Sequence, residues 1–335
     1  MKVFITGIAG FLGSHIADLL IKKGIEVVGI DNLNGGFINN VNKDAEFYVC
    51  DCNDLDKVTN YMKNSDVVFH AACTAHDGLS VFSPYMVSLN TYQATMGVFT
   101  AAIRNNVNKF VFCSSMSRYG KQNVDLLTED LICNPNVPYG IAKLACEKAI
   151  EKLSPLYNID YSIIVPHNII GPRQNYTDPY RNVAAIMINR MLQNKQPIIY
   201  GDGEQKRCFS YIDDVVYCIE KVLFDSNTNG EIINVGPDEE FVTINDLSKC
   251  IAKNIGFELS PIYMPYRPLE TKFAYCSSEK ARRLLNYKTQ TSLNEGIKNM
   301  VKYIKETGTK PFDYSVMPLE INNYLTPTTW RDNLI

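Results

Sequence analysis

Val3-Phe4-Ile5-Thr6-Gly7-Ile8-Ala9-Gly10-Phe11-Leu12-Gly13-Ser14-His15-Ile16-Ala17 sets three glycines between a short apolar run and an amphipathic pattern. The run reads as a strand and the pattern as a helix, so the glycines form the turn that joins them. Glycine permits a tight turn and close approach of a pyrophosphate, and a helix N-terminus offers unpaired N–H groups and partial positive charge. The spacing Gly7-x-x-Gly10-x-x-Gly13 departs from Gly-x-Gly-x-x-Gly, and a plain strand-to-helix turn uses such glycines too. The next apolar run, however, ends in Ile30-Asp31-Asn32, about 20 residues on, where a carboxylate can accept hydrogen bonds from an adenine ribose. Asp31 would repel a 2′-phosphate and no arginine immediately follows it. NAD is therefore expected rather than NADP, and His15 is expected to pack within the first helix.

Outward from this turn the same rhythm continues. Val3 to Thr6, Glu26 to Ile30, Phe47 to Cys50, Val67 to His70, Phe110 to Ser114 and Tyr161 to Val165 are short apolar or β-branched runs separated by longer helical patterns. That alternation predicts an α/β fold, a doubly wound parallel sheet buried on both faces. From about residue 167, Gly-Pro, Asp-Pro and Gly-Asp-Gly punctuation replaces it. Phe209 to Phe224 and Glu231 to Gly236 again resemble sheet and helix elements, so the boundary is expected to be discontinuous. The predicted division is 1–166 for nucleotide binding, rejoined by about 209–236, with 167–208 and 237–335 forming a smaller substrate-binding region and tail. The tail from Lys310, with the only tryptophan, Trp330, reads as a docked segment without chemistry of its own.

Composition narrows the class. At 335 residues and 46% hydrophobic, the chain has ample core. A net charge of −3 without a long basic cluster argues against nucleic acid and for a small-molecule partner. No apolar stretch approaches the roughly 20 residues of a membrane span, and Met1-Lys-Val-Phe-Ile reads as a strand rather than a leader. The ten cysteines form no Cys-x-x-Cys pair. Reduced thiols in a cytoplasmic protein are expected, and no metal site.

Ser115 closes the run from Lys109, and Tyr139-Gly-Ile-Ala-Lys143 lies on a helical pattern. Residues four apart share a helix face, so Lys143 can bring its ammonium to the phenol of Tyr139. A free tyrosine titrates near pH ~10, and a neighbouring cation favours the phenolate, which makes the pair a candidate general base near neutral pH.

With Gly7, Gly10 and Gly13, Asp31-Asn32-Leu33, Ser115 and Tyr139-x-x-x-Lys143 in order, the chain resembles the extended short-chain dehydrogenase/reductase family, most closely its nucleotide-sugar 4-epimerases. The resemblance runs from Met1 to about Lys305. It implies a Rossmann-type sheet with bound NAD, Phe11 and Leu12 over the pyrophosphate, Asn32 beside Asp31, and Asp51 at the adenine. Ala71, Ala72 and Asn90 would line the cofactor cleft, together with Tyr139 and Lys143. Ser115 and Ser117 would face the sugar, and Asn168, Arg207 and Arg267 its diphosphate, where paired guanidiniums suit bidentate contacts. Ala274, seven residues after Arg267, would gate the sugar's 2-substituent, its small size leaving room for an N-acetyl group.

The resemblance also separates reactions. Dehydratases of the family carry an Asp-Glu pair directly after the catalytic Ser or Thr, where this chain has Met116-Ser117. Decarboxylating relatives use a glutamate near Ser117, and some epimerase/reductases a cysteine. Epimerisation at C4 of a nucleotide-activated hexose, through a transient 4-ketose, is therefore the implied activity. UDP-glucose or UDP-galactose and their N-acetyl forms are the implied substrates. Alternatives are a UDP-glucuronate 4-epimerase, a GDP-sugar epimerase, a 4-dehydrogenase or reductase, a dehydratase, or an NAD-binding regulatory subunit. His167 and Cys208 replace residues common in relatives. His167 either touches substrate or is satisfied in the cleft wall, and Arg118 either pairs locally or faces the sugar. Helical patterns at 84–105 and 139–153 would join a twofold mate in a homodimer.

Overall fold

A computed structural model describes residues 1–124, 126–270 and 275–335. In chain order the first half comprises β1 (Lys2–Thr6), α1 (Phe11–Lys22), β2 (Glu26–Asp31), β3 (Glu46–Val49), α2 (Leu55–Tyr61), β4 (Val67–His70), α3 (Pro84–Ser88), α4 (Ala94–Arg104), β5 (Lys109–Cys113), α5 (Pro138–Leu153) and β6 (Asp160–Pro166). There follow β7 (Asn168–Ile170), α6 (Val183–Leu192), β8 (Ile198–Tyr200), β9 (Lys206–Arg207), β10 (Phe209–Tyr211), α7 (Ile212–Phe224) and β11 (Ile232–Val235). The remainder holds β12 (Val242–Thr243), α8 (Ile244–Ile255), β13 (Ile262–Met264), α9 (Glu279–Leu285), α10 (Leu293–Thr307) and α11 (Thr328–Arg331).

Seven strands form one sheet in the order β11-β6-β5-β4-β1-β2-β3, every neighbour parallel. Each of the six expected runs is a strand of it. The residues of β4 and β5 are buried throughout, which is why these runs are continuous rather than alternating. One face packs against α1 and α7, where Ile16, Leu20, Val215 and Ile219 meet Val3, Ile5 and Phe69. The other packs against α2, α4 and α5, where Val58, Val98, Phe99 and Ile150 meet Phe4, Val68 and Phe110.

Strand order reverses between β1 and β4, so the loops leaving these two strands open a crevice at the carboxyl edge of the sheet. Beyond it, α6, α8 and α10 pack around Ile188, Leu247, Ile251 and Ile297. Three two-stranded pairs accompany them, β7 with β10, β8 with β13 and β9 with β12. The tail is docked: Trp330 and Ile335 pack with Leu79, Phe82 and Tyr180. Among the described residues no helix is long and apolar enough to cross a membrane.

Candidate active site

The glycine turn is built for close packing. Gly7 has φ +73° and donates its N–H to the Ile30 carbonyl at 2.8 Å. A Cβ on Gly13 would lie 2.1 Å from the Gly7 carbonyl oxygen, so no larger residue lets α1 start so close to β1. Beneath the turn, Thr6 Oγ1 meets His70 Nδ1 at 2.6 Å, and His70 Nε2 meets Thr95 Oγ1 at 2.9 Å. Burial holds that imidazole neutral, with its pKa pushed down to about 3. The Ala72 N–H completes the lattice by donating to Thr6 Oγ1 at 3.2 Å.

Asp31 ends β2 with its carboxylate clamped by backbone. Oδ2 accepts from the Ala9 N–H at 3.0 Å and Oδ1 from the Leu33 N–H at 2.8 Å. Each oxygen can accept one bond more, as a ribose diol requires. Asn32 Nδ2 donates to Asp51 Oδ2 at 2.8 Å, which joins the two acidic positions along the cleft. Asn90 lies in a single π-helical turn, Leu89–Gln93, and donates to Thr74 Oγ1 at 3.2 Å. Gly7, Gly10, Phe11, Leu12, Gly13, Asp31, Asn32, Asp51, Ala71, Ala72 and Asn90 all line one cavity of about 590 Å³. His15 does more than pack in its helix, since its Nε2 meets the Pro172 carbonyl at 3.0 Å.

Ser115, Ser117, Tyr139 and Lys143 line the same cavity. Pro138 starts α5, so Tyr139 and Lys143 stand one turn apart on its buried face. Ser115 hydrogen-bonds the Tyr139 hydroxyl and accepts from the Ser117 N–H at 3.2 Å. Gly140 is required for this approach, because a Cβ there would sit 2.4 Å from the Ser117 carbonyl oxygen.

One expectation needs correction. Lys143 Nζ donates to the Cys113 carbonyl at 2.7 Å and lies 5.9 Å from the Tyr139 ring centre, closer to the face of Phe112. Burial, not the ammonium, dominates Tyr139 and holds its pKa well above the ordinary tyrosine value.

At the far end, Asn168 opens β7 with its Nδ2 donating to the Cys208 carbonyl at 3.1 Å. Arg267 binds Glu270 through two nitrogens at 2.9 and 3.2 Å, and Arg207 approaches the same carboxylate at 3.9 Å. Ala274 falls outside the described residues. His167 Nδ1 meets the Pro237 carbonyl at 3.1 Å, while its buried Nε2 has no hydrogen-bond partner among the described residues and the side chain lines the cavity. Arg118 pairs locally: its Nε donates to Glu147 Oε2 at 2.8 Å, and both side chains are buried.

Sequence reasoning missed three contributors. Asp77, in the loop after β4, accepts a hydrogen bond from Ser117 Oγ. Its signal was available, a carboxylate in the loop that leaves a parallel strand at the crevice. Glu270 joins the two arginines, three residues after Arg267 in the chain. Trp330, expected to carry no chemistry, lines the cavity with its ring 5.8 Å from the Arg267 guanidinium, which also covers Tyr200 at 4.8 Å. Nothing local in the sequence points to that contact. Among the described residues, no group of three or more His, Cys, Asp or Glu could hold a metal ion.

A parallel sheet, a glycine turn bonded to Asp31, and Ser115, Tyr139 and Lys143 on the wall of the same cavity define an NAD-dependent enzyme of the extended short-chain dehydrogenase/reductase type. The chain belongs to the NAD dependent epimerase/dehydratase family, whose model matches residues 3–236. It is 36% identical over 308 residues to a putative UDP-glucose 4-epimerase of Methanocaldococcus jannaschii, covering 90% of this chain and 98% of that one. The Thermotoga maritima UDP-glucose 4-epimerase, solved with UDP-glucose, superposes with a TM-score of 0.87 at 32% identity over 92% of this chain and 99% of that one. A Bacillus cereus UDP-glucuronic acid 4-epimerase, solved with UDP-glucuronic acid and NAD, gives 0.84 at 30% identity, with 92% and 100% covered.

Proposed function

We propose that the protein interconverts the C4 epimers of a UDP-hexose, in the glucose and galactose series or their N-acetyl forms. The observation that carries this reading is Tyr139 held by Ser115, with Lys143 on the same wall and Met116 and Ser117 where elimination would need acids. Among the acids that line the cavity, Asp77 accepts from Ser117, Asp178 is paired with His76 and Glu270 with Arg267. Loss of water needs both a further acid and a further base; proton transfer at one hydroxyl needs only the phenol.

The residues fit the cofactor: a Cβ on Gly7 would stand 3.1 Å from Ala72 and one on Gly13 2.1 Å from the Gly7 carbonyl oxygen, so the turn is glycine-tight and the first N–H groups of α1 are not crowded by side chains where a pyrophosphate would sit. NAD, when bound, would supply a hydride acceptor and donor for C4. Tyr139 Oη then exchanges a proton with the C4 oxygen, and Ser115 Oγ holds that oxygen in line. Lys143 is anchored by the Cys113 carbonyl and keeps a cation on the same wall. Tyr139 is only 6% exposed, so bulk water does not compete for the proton.

In this reading residues 1–166 and 209–236 hold NAD, and 167–208 with 237–335 hold the nucleotide sugar, Asn168, Arg207 and Arg267 meeting the diphosphate. Tyr85, Tyr92 and Ile141 are exposed on α3, the π turn and α5, and would pair with a second copy. Sedimentation tests that pairing. For the reaction, incubation with UDP-glucose and no added nucleotide should yield the C4 epimer by NMR. Accumulation of a 4-keto-6-deoxy sugar would overturn the reading.

A further inference from the structure

We infer that Asp77 sets the charge class of the substrate: the site accepts a nucleoside diphosphate sugar with an uncharged ring and rejects one whose ring bears a carboxylate. The inference rests on the proposed epimerisation and deepens it.

Asp77 is held rather than mobile. Its neighbour His76 is buried with Nε2 2.7 Å from Asp178 Oδ2, and Ser80 Oγ donates to the Asp77 carbonyl at 2.6 Å. On one side, Ser117 Oγ donates to the carboxylate, and Ser117 is bonded in turn to Ser115 and so to Tyr139. On the other, a Cβ on adjacent Gly78 would lie 3.5 Å from Arg267 Nη1. The carboxylate is close enough to act electrostatically on Tyr139, Arg207 and Arg267 alike. It therefore stands between the proton-transfer end and the arginine end, where a sugar joining the two must lie.

Sugar hydroxyls can donate to such an acceptor, which has capacity beyond the single bond from Ser117. A sugar carboxylate can only repel it; Asp77 is exposed, and solvent screens part of that repulsion. Among the described residues, each Lys or Arg that lines the cavity already has a partner. Lys143 binds the Cys113 carbonyl, Arg181 approaches Asp178 at 3.3 Å, and Arg207 and Arg267 share Glu270. Epimerisation presents both sugar faces to the same phenol, so the ring substituents must sweep this pocket in the course of a turnover.

Calorimetric titration of the NAD-loaded protein with UDP-glucose and with UDP-glucuronate tests the inference without relying on turnover. UDP-glucuronate should bind at least about tenfold more weakly. Asp77→Asn, which keeps the shape and removes the charge, should bring the two affinities to within about threefold of each other. Asp77→Ser serves as the second variant, and retained UDP-glucose binding shows that either variant is folded. Equal or tighter binding of the uronate by the native chain, or an unchanged gap in both variants, would overturn the inference. A preserved binding preference without formation of a C4 epimer would support it while sinking the proposed reaction.

Discussion

Arg118 and Glu147 form an ion pair sealed from solvent beside the strand end that carries Ser115, with Nε 2.8 Å from Oε2 and relative exposures of 2% and 0%. Glu147 also accepts from Ser114 Oγ, so the pair braces the backbone immediately before Ser115. Removing one partner strands the other charge in the core. Arg118→Ala should cost about 3–5 kcal/mol in urea unfolding, whereas Arg118→Met combined with Glu147→Leu should recover most of that loss. A small effect of the single variant would show that the pair is not a structural brace.

Tyr139→Phe removes the hydroxyl proposed to exchange the proton and leaves the buried ring in place. The variant should fold, retain NAD and lose about 10²–10⁴-fold in kcat. Turnover near the native rate, followed by NMR of the sugar, would sink the assigned role.

Gly13→Ala should abolish NAD retention, because the new methyl would stand 2.1 Å from the Gly7 carbonyl oxygen. The relevant measurement is the nucleotide released on denaturing the purified protein. A full complement of NAD would mean that the turn tolerates displacement of α1.

All four histidines have pKa values lowered in the folded protein, with burial the largest cause; His70 is pushed down to about 3 and His167 to about 4. Their folded pKa values lie below the unfolded value near ~6.5, so the unfolded chain takes up protons first as pH falls. The stability they contribute is complete above that value and is lost as pH drops through the window toward 4 and 3. Each can contribute a slope of up to about 1.4 kcal/mol per pH unit. Thermal midpoints should therefore fall steeply from pH 7 to pH 5, and His70→Asn should flatten part of that fall. A midpoint insensitive to pH over this range would contradict the buried neutral state.

The tail should matter to substrate more than to cofactor. Trp330 packs against Phe82, Tyr180 and Tyr200, and Thr329 Oγ1 lies 2.5 Å from the Tyr200 hydroxyl on the opposite side of the cleft from the glycine turn. Trp330→Ala should raise KM for the nucleotide sugar and leave NAD content unchanged, with about 3–5 kcal/mol lost in stability. Trp330→Phe should restore KM, since an aromatic face toward Arg267 is retained. An unchanged KM in the alanine variant would confine the tail to a structural role.

The parts of this protein legible in its sequence are those governed by short spacings. Apolar runs such as Val67 to His70 declare buried parallel strands because both faces of the sheet are covered. The glycines at 7, 10 and 13 declare a phosphate turn because backbone clearance is a local matter, and Tyr139 and Lys143 share a face because they are one helical turn apart. The tertiary structure decided what depends on burial and on distant neighbours. It turned Lys143 toward the Cys113 carbonyl and raised the Tyr139 pKa through desolvation. It also paired Arg118 inward, carried Asp77 across 40 positions of sequence to Ser117, and set Trp330 beside Arg267. Local periodicity encodes which face of an element is buried; it does not encode which other element that face will meet.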